Sequence, residues 1–341
     1  MYRIAVLPGD GVGPEVVRAA VRVIEAVERV VGGLRLHLLY GEAGYNCIGK
    51  YGTNLPPQTI EMLKGTDACL KGPMTTPEEP GAPPSAAVTI RKLFRLYANV
   101  RPCKSLLGVP SIKPNIDLVV VRENTEGLYF GREFEVSSGI GVAMRIITER
   151  ASKKVARLAF QIASKRRRHL TCVHKRNILR VTDGIFRNAI FEVADEYPEV
   201  EVDEVHVDAM AMRLIKEPER FDVIVAPNLY GDIISDEAAQ LVGGLGVAPG
   251  ANIGDDYAMF EPVHGSAPKY TGQNKVNPMA TILSAKMMMD YLGEVEAADL
   301  IERAVTKVLK EGRVRTYDLG GDSTTQEVGE AVASKVLEAS P

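Results

Sequence analysis

The sequence predicts an α/β protein built on a central mixed, mainly parallel sheet that is not a Rossmann domain. Two observations carry this reading. Short β-branched runs alternate with longer stretches whose apolar residues recur every three to four positions, the pattern of strands linked by crossover helices. The glycine-rich turn after the first such run, Gly9-Asp10-Gly11-Val12-Gly13-Pro14, brings its third glycine one residue too early for G-x-G-x-x-G and follows it with proline. That turn is either structural or a place where backbone approaches a ligand.

The elements follow in order. Ile4 to Leu7 reads as the first strand, and a helix runs from the glycine turn to about Val31, with a stripe of Val17, Val21, Ile24, Val27 and Val30. Pro14 suits its first turn, where a missing N–H costs nothing. Further strands are expected at 67–70, 116–121, 170–173, 202–207 and 221–226, and helices at 151–163, 183–196, 277–291 and 297–310. The stretch Pro77 to Pro84 is too rich in proline for regular structure and reads as a mobile loop bordering a ligand site.

With 341 residues, 45% of them hydrophobic, the chain has room for two domains or one large α/β unit. Its net charge of −3 argues against nucleic acid as the main partner. The one basic run, Lys165 to Arg168, reads as a solvated helix end. Cys47, Cys69, Cys103 and Cys172 form no C-x-x-C pair, which fits buried thiols in a reducing cytoplasm. No segment has the length of a signal peptide's apolar core or of a membrane span.

Candidate chemistry gathers at strand ends. Arg122 closes the apolar run Leu118 to Val121, and Arg91 and Arg101 stand in similarly defined motifs; several such planar forks in one cleft would hold a di- or tricarboxylate. Asp232 and Asp236, four apart, share one helical face, where they are either N-terminal caps or ligands to a hard divalent cation, with Asp208 at the end of the 202–207 strand as a third ligand. Lys175 ends another apolar strand and is a candidate base; Tyr129 offers a phenol. The loop from Glu261 to Asn277, with His264, Gly265, Lys269, Tyr270 and Val276, is suited to an adenine nucleotide.

Taken together and in this order, these motifs, with Tyr97 to Pro102, Arg122 to Glu126, Gly243 to Gly246, Asn252 to Asp255 and Asp318 to Gly321, closely resemble the β-decarboxylating dehydrogenases: isocitrate, 3-isopropylmalate, homoisocitrate and tartrate dehydrogenases. The resemblance covers nearly the whole chain. It implies the isocitrate/isopropylmalate dehydrogenase-like two-domain fold, with residues 1–96 plus 243–341 forming a discontinuous large, cofactor-binding domain and 97–242 an inserted small domain with dimerisation elements. It further implies that Arg91, Arg101 and Arg122 clamp the malate moiety and that Asp232 and Asp236 hold Mg²⁺ or Mn²⁺ together with Asp208 of a second copy. Lys175, also from that copy, would be the base and Tyr129 the proton donor, so the expected assembly is a homodimer with shared sites. Thr75 and Thr76 would lie near the nicotinamide.

Where NAD-using members carry an aspartate, this chain has Lys269; with Tyr270 and Tyr317 it matches the NADP-using isocitrate enzymes, although Gly321 replaces their arginine. A 2′-phosphate wants cations and hydroxyl donors, so NADP is the expected cofactor, with NAD the alternative. Ser85, six residues before Arg91, matches the isocitrate pattern, whereas Ala87 and Val88 would suit an isopropyl group. Isocitrate is the expected substrate, with 3-isopropylmalate and homoisocitrate as alternatives.

Overall fold

The computed structural model describes residues 1–339 except 78, 80 and 81, so part of the Pro77 to Pro84 loop lies outside the described residues. Its first part runs β1 (Tyr2–Leu7), α1 (Gly13–Val30), β2 (Leu36–Tyr40), α2 (Asn46–Tyr51), α3 (Pro57–Lys64), β3 (Ala68–Lys71) and α4 (Ala86–Leu93). The middle comprises β4 (Ala98–Lys104), β5 (Asp117–Glu123), β6 (Gly127–Ser137), β7 (Ile140–Ile146), α5 (Glu149–Ser164), β8 (His169–His174), α6 (Thr182–Ala194), β9 (Glu201–His206), α7 (Val207–Lys216), β10 (Val223–Ala226) and α8 (Asn228–Leu241). The last part adds β11 (Pro249–Ile253), β12 (Ala258–Pro262), α9 (Met279–Tyr291), α10 (Val295–Glu311) and α11 (Thr325–Leu337).

One ten-stranded sheet, ordered β2-β1-β3-β12-β11-β4-β5-β10-β8-β9, organises the chain. The runs β2-β1-β3-β12 and β5-β10-β8-β9 pair in parallel, and the three pairings β12-β11, β11-β4 and β4-β5 between them are antiparallel. The flank β2-β1-β3-β12-β11 comes from residues before 97 and after 242, and β4-β5-β10-β8-β9 from residues between them. Crossover helices bury both faces, which explains why β3 and β10 are apolar or fully buried along their whole length. The largest core cluster runs across both flanks, from Ile4 and Leu70 through Val121 to Leu170 and Val225.

Local signals act as read. Pro14 sits in the first turn of α1, and Val17, Ile24 and Val27 on its stripe are buried. Thr324 and Glu327 form a capping box at the start of α11, a helix that the apolar spacing alone did not announce. The basic run after α5, read as a solvated helix end, departs from that reading in part: Arg166 and Arg167 pair with the buried Asp222. All four cysteines are buried and free. No described helix is long and apolar enough to cross a membrane.

One further reading is corrected. Asp208 lies in the first turn of α7, because the 201–206 strand ends at His206 and the chain turns helical at once. The segment after Arg122 forms a β6-β7 hairpin off the main sheet, exposing Phe134, Val136, Ile140 and Met144. Two-stranded ribbons are marginal on their own, so this one needs further packing.

Candidate active site

The parallel strands β5 and β10 deliver their carboxyl ends to one place, and α8 starts directly beyond β10. Asp232 and Asp236 therefore lie one and two turns into α8, whose first turn holds no acidic residue and whose N-cap is Pro227. The capping alternative is thereby removed. Arg101, from β4, joins the two carboxylates, placing Nη1 2.6 Å from Asp236 and Nη2 3.1 Å from Asp232. Arg122 also pairs with Asp232, and the Tyr129 hydroxyl donates to the same carboxylate at 2.5 Å.

Burial makes this cluster electrostatically tight. Arg122 is only 1% exposed, and desolvation pushes its guanidinium down to about 10 against the opposing pull of Asp232, so it stays charged at neutral pH. Desolvation also raises Asp236, with Arg101 working the other way and Asp232 reinforcing it. The Tyr129 phenol is raised by burial and by its bond to Asp232, which keeps its proton in place through neutrality.

Several orienting residues escaped the sequence reading. Asn228 accepts from Arg122 Nε at 2.9 Å and Nη2 at 2.6 Å, fixing the plane of the fork. Asn99 accepts from Arg101 Nε at 2.7 Å. Gly231 lets α8 lie against Arg122: a Cβ there would stand 2.7 Å from Arg122 Cβ and 3.1 Å from its Cα. Gly231→Ala should therefore push α8 off β5, costing about 1–3 kcal/mol and misaligning Arg122 with Asp232. A denaturant melt alongside steady-state kinetics measures both effects; unchanged stability and KM would refute this account.

Arg91 and Arg101 line a common cavity of about 170 Å³, with Ala87, Lys71, Glu261 and His264 also on its wall. Glu261, expected at the cofactor, bridges Arg91 at 2.9 Å and the buried Lys71 at 2.6 Å. Burial opposes the charge on Glu261, but the two cations prevail and hold its carboxyl well below the usual range. Lys71 closes the otherwise apolar β3, the same signal that marked Arg122 and Lys175, and could have been found by it. Arg91 Nε is buried and unpartnered among the described residues, so a carboxylate in this cavity would satisfy it. Ser85 is the N-cap of α4 and makes no side-chain capping bond.

A second cavity, about 350 Å³, adjoins the first through His264 and Gly265 and is lined by Tyr270, Val276, Asn277 and Tyr317. The buried His264 Nε2 lacks a partner among the described residues. Burial lowers this histidine against the pull of the Gly265 carbonyl. The rings of Tyr270 and Tyr317 lie 5.6 Å apart; Lys269 Nζ stands 4.8 Å over the first, and Lys275 Nζ 4.8 Å over the second. Lys275, which the sequence reading passed over, is thus a second candidate cation beside this cavity. The glycine turn after β1 proves structural: Cβ atoms at Gly9 and Gly11 would meet the carbonyls of Pro73 and Ser266 at 2.2 and 2.0 Å. The buried Asp10 accepts from the Thr75 N–H, and the Thr75 hydroxyl meets that of Ser266 at 2.7 Å, so this turn joins the two loops at the cavity.

Lys175 and Asp208 pair with each other instead of joining Asp232 and Asp236, and among the described residues no cluster of three acidic, histidine or cysteine side chains forms a metal site. Lys175 is nevertheless tied to α8. Its N–H donates to the buried Asp183 at 2.6 Å, Asp183 pairs with Arg145 of β7, and Arg145 lies 5.0 Å over the Tyr230 ring.

The fold and this arginine–carboxylate site define a class that comparison makes explicit. Residues 3–332 match the isocitrate/isopropylmalate dehydrogenase family model, and the chain belongs to that family. It is 46% identical to a 3-isopropylmalate/3-methylmalate dehydrogenase of Methanocaldococcus jannaschii over 99% of this chain and 100% of that protein. An isocitrate/homoisocitrate dehydrogenase of Thermus thermophilus is 49% identical over 97% of each. The crystal structure of isocitrate dehydrogenase from Methylococcus capsulatus superposes with a TM-score of 0.94 at 43% identity, covering 99% of this chain and 100% of that one.

Proposed function

We propose that this chain catalyses the metal-dependent oxidative decarboxylation of a malate-type 2-hydroxy acid with NADP, acting on isocitrate. The observation that carries this reading is the Asp232–Asp236 pair held by Arg101 and Arg122, with Arg101 also lining the cavity that holds Arg91. Hard carboxylate oxygens one turn apart are the donors Mg²⁺ or Mn²⁺ requires, and the orphaned His264 Nε2 and flanking lysines suit a phosphorylated dinucleotide. When bound, the nicotinamide accepts the hydride and the divalent ion withdraws charge from the hydroxy acid's oxygens.

The protein's own residues supply the rest. The arginines release their internal carboxylate partners to hold the substrate's carboxylates, and the protonated Tyr129 phenol returns a proton after CO₂ leaves. Lys175 and Asp208 complete the site across a homodimer; the exposed apolar β6-β7 hairpin supports that assembly, as do exposed Ile178, Met212, Ile215 and Ile233. The two sheet flanks correspond in this reading to the large and inserted domains. Four buried free thiols accord with a reducing cytoplasm.

Isocitrate is supported by Ser85, whose hydroxyl stands at the N-terminus of α4 where N–H groups favour an extra carboxylate. A second reading, 3-isopropylmalate, is favoured by Ala87 and Met74, which give the cavity an apolar wall. Comparing isocitrate, 3-isopropylmalate and homoisocitrate with NADP and NAD under Mg²⁺ should give isocitrate with NADP the highest kcat/KM, and EDTA should abolish turnover. A tenfold lead for 3-isopropylmalate would establish the second reading, and activity surviving exhaustive EDTA would sink both.

A further inference from the structure

Between the end of α4 and the start of α5, a third cavity of about 380 Å³ shares no lining residue with either cleft described above. Lys92, Arg95, Arg150 and Lys154 line it, together with Tyr97 and Thr148. These cations come from two separate regions, the end of α4 and the first turns of α5. Among the described residues one acidic residue, Glu126, lines the cavity, and its carboxylate already accepts from the Thr148 N–H and hydroxyl, each at 2.7 Å. Lys154 is paired with Asp255 and stands 5.2 Å over the Tyr97 ring. Among the described residues, the guanidinium groups of Arg95 and Arg150 have neither an ion pair nor a hydrogen bond.

In a protein whose charges otherwise nearly cancel, Lys92, Arg95 and Arg150, which have no ion pair among the described residues, repel one another round this concavity unless an anion joins them. The backbone adds an independent observation. Arg95 follows the C-cap of α4 with φ of +50°, a left-handed position where glycine is the ordinary choice. The Arg95 N–H bonds back to the Lys92 carbonyl and the Leu96 N–H to that of Arg91, as in a left-handed helix end. A bulky side chain kept at such a strained place is better explained by its guanidinium than by its backbone.

The geometry points to this cavity as a second anion site, distinct from the hydroxy-acid pocket, that takes a small ligand bearing several phosphate groups. Two free planar forks match phosphate oxygens bidentately, and Lys92 and Lys154 add point charges without geometric demand. The volume falls within the range of small-ligand pockets.

Titration calorimetry of the purified full chain with inorganic tripolyphosphate, in metal-free buffer, tests the assignment. The wild type should bind one tripolyphosphate here, and Arg95→Gly combined with Arg150→Ala should weaken that step at least tenfold. Arg95→Gly suits the left-handed backbone, so a raised or unchanged Tm separates lost binding from lost folding. Lys269→Ala with Lys275→Ala, in the nucleotide cleft, should leave the step in place. Equal affinity in the wild type and the Arg95/Arg150 variant, or loss only in the Lys269/Lys275 variant, would overturn the site. Citrate binding as tightly at this cavity would overturn its preference for phosphate.

Discussion

Asp232→Asn should lower kcat at saturating Mg²⁺ by at least about 10³-fold, the largest single effect expected in this protein. Three groups converge on this carboxylate: Arg122, Arg101 and the Tyr129 hydroxyl. The amide keeps one acceptor oxygen for the arginines but removes the charge that a divalent ion needs and gives Tyr129 an N–H donor or a weaker acceptor in its place. Because Arg122 retains Asn228, the fold should lose only about 1–3 kcal/mol, the scale of one hydrogen bond to a charged group. Mn²⁺ binding followed by electron paramagnetic resonance provides a readout besides turnover. Near-normal kcat with undiminished Mn²⁺ affinity would remove Asp232 from the site.

The second large effect is on cofactor choice. Lys269→Asp should shift the ratio of kcat/KM for NADP over NAD toward NAD by about 10²–10⁴-fold, since it removes a charge-assisted contact and adds a repulsion, each worth about 1.5–3 kcal/mol. Lys269 stands over Tyr270, whose phenol is lowered by its bonds to Tyr317 and to Lys269 itself; the carboxylate variant would put an acid beside that hydroxyl. Lys275, over Tyr317, remains as a cation and keeps the shift from being larger. An unchanged ratio would show that Lys269 does not meet the 2′-phosphate.

The candidate residues were unevenly legible. Arg122 and Lys175 stood out because a charge at the end of an apolar run is chemically out of place, and the same rule points to Lys71. Asn228 and Asn99 carried no such signal, because a neutral amide in a polar segment looks like any turn residue until the arginine it orients is seen. Glu261 was read as a cofactor residue from its place in a loop motif. Its ion pairs with Arg91 and Lys71 are contacts between residues 170 and 190 positions apart, which no local pattern records.

By itself the sequence determined what depends on neighbours along the chain: alternation of strand and helix, the stripe of α1, the failed dinucleotide fingerprint, and the shared helical face of Asp232 and Asp236. These follow from backbone periodicity and from spacings of a few residues. Tertiary structure alone decided that the Asp pair lies inside α8 and is not its cap, that the glycine turn packs on Pro73 and Ser266, and that Arg101 links both aspartates. Those outcomes rest on how strands distant in sequence align their ends, and on which buried charges find partners there, so their cause is desolvation and long-range geometry rather than local propensity.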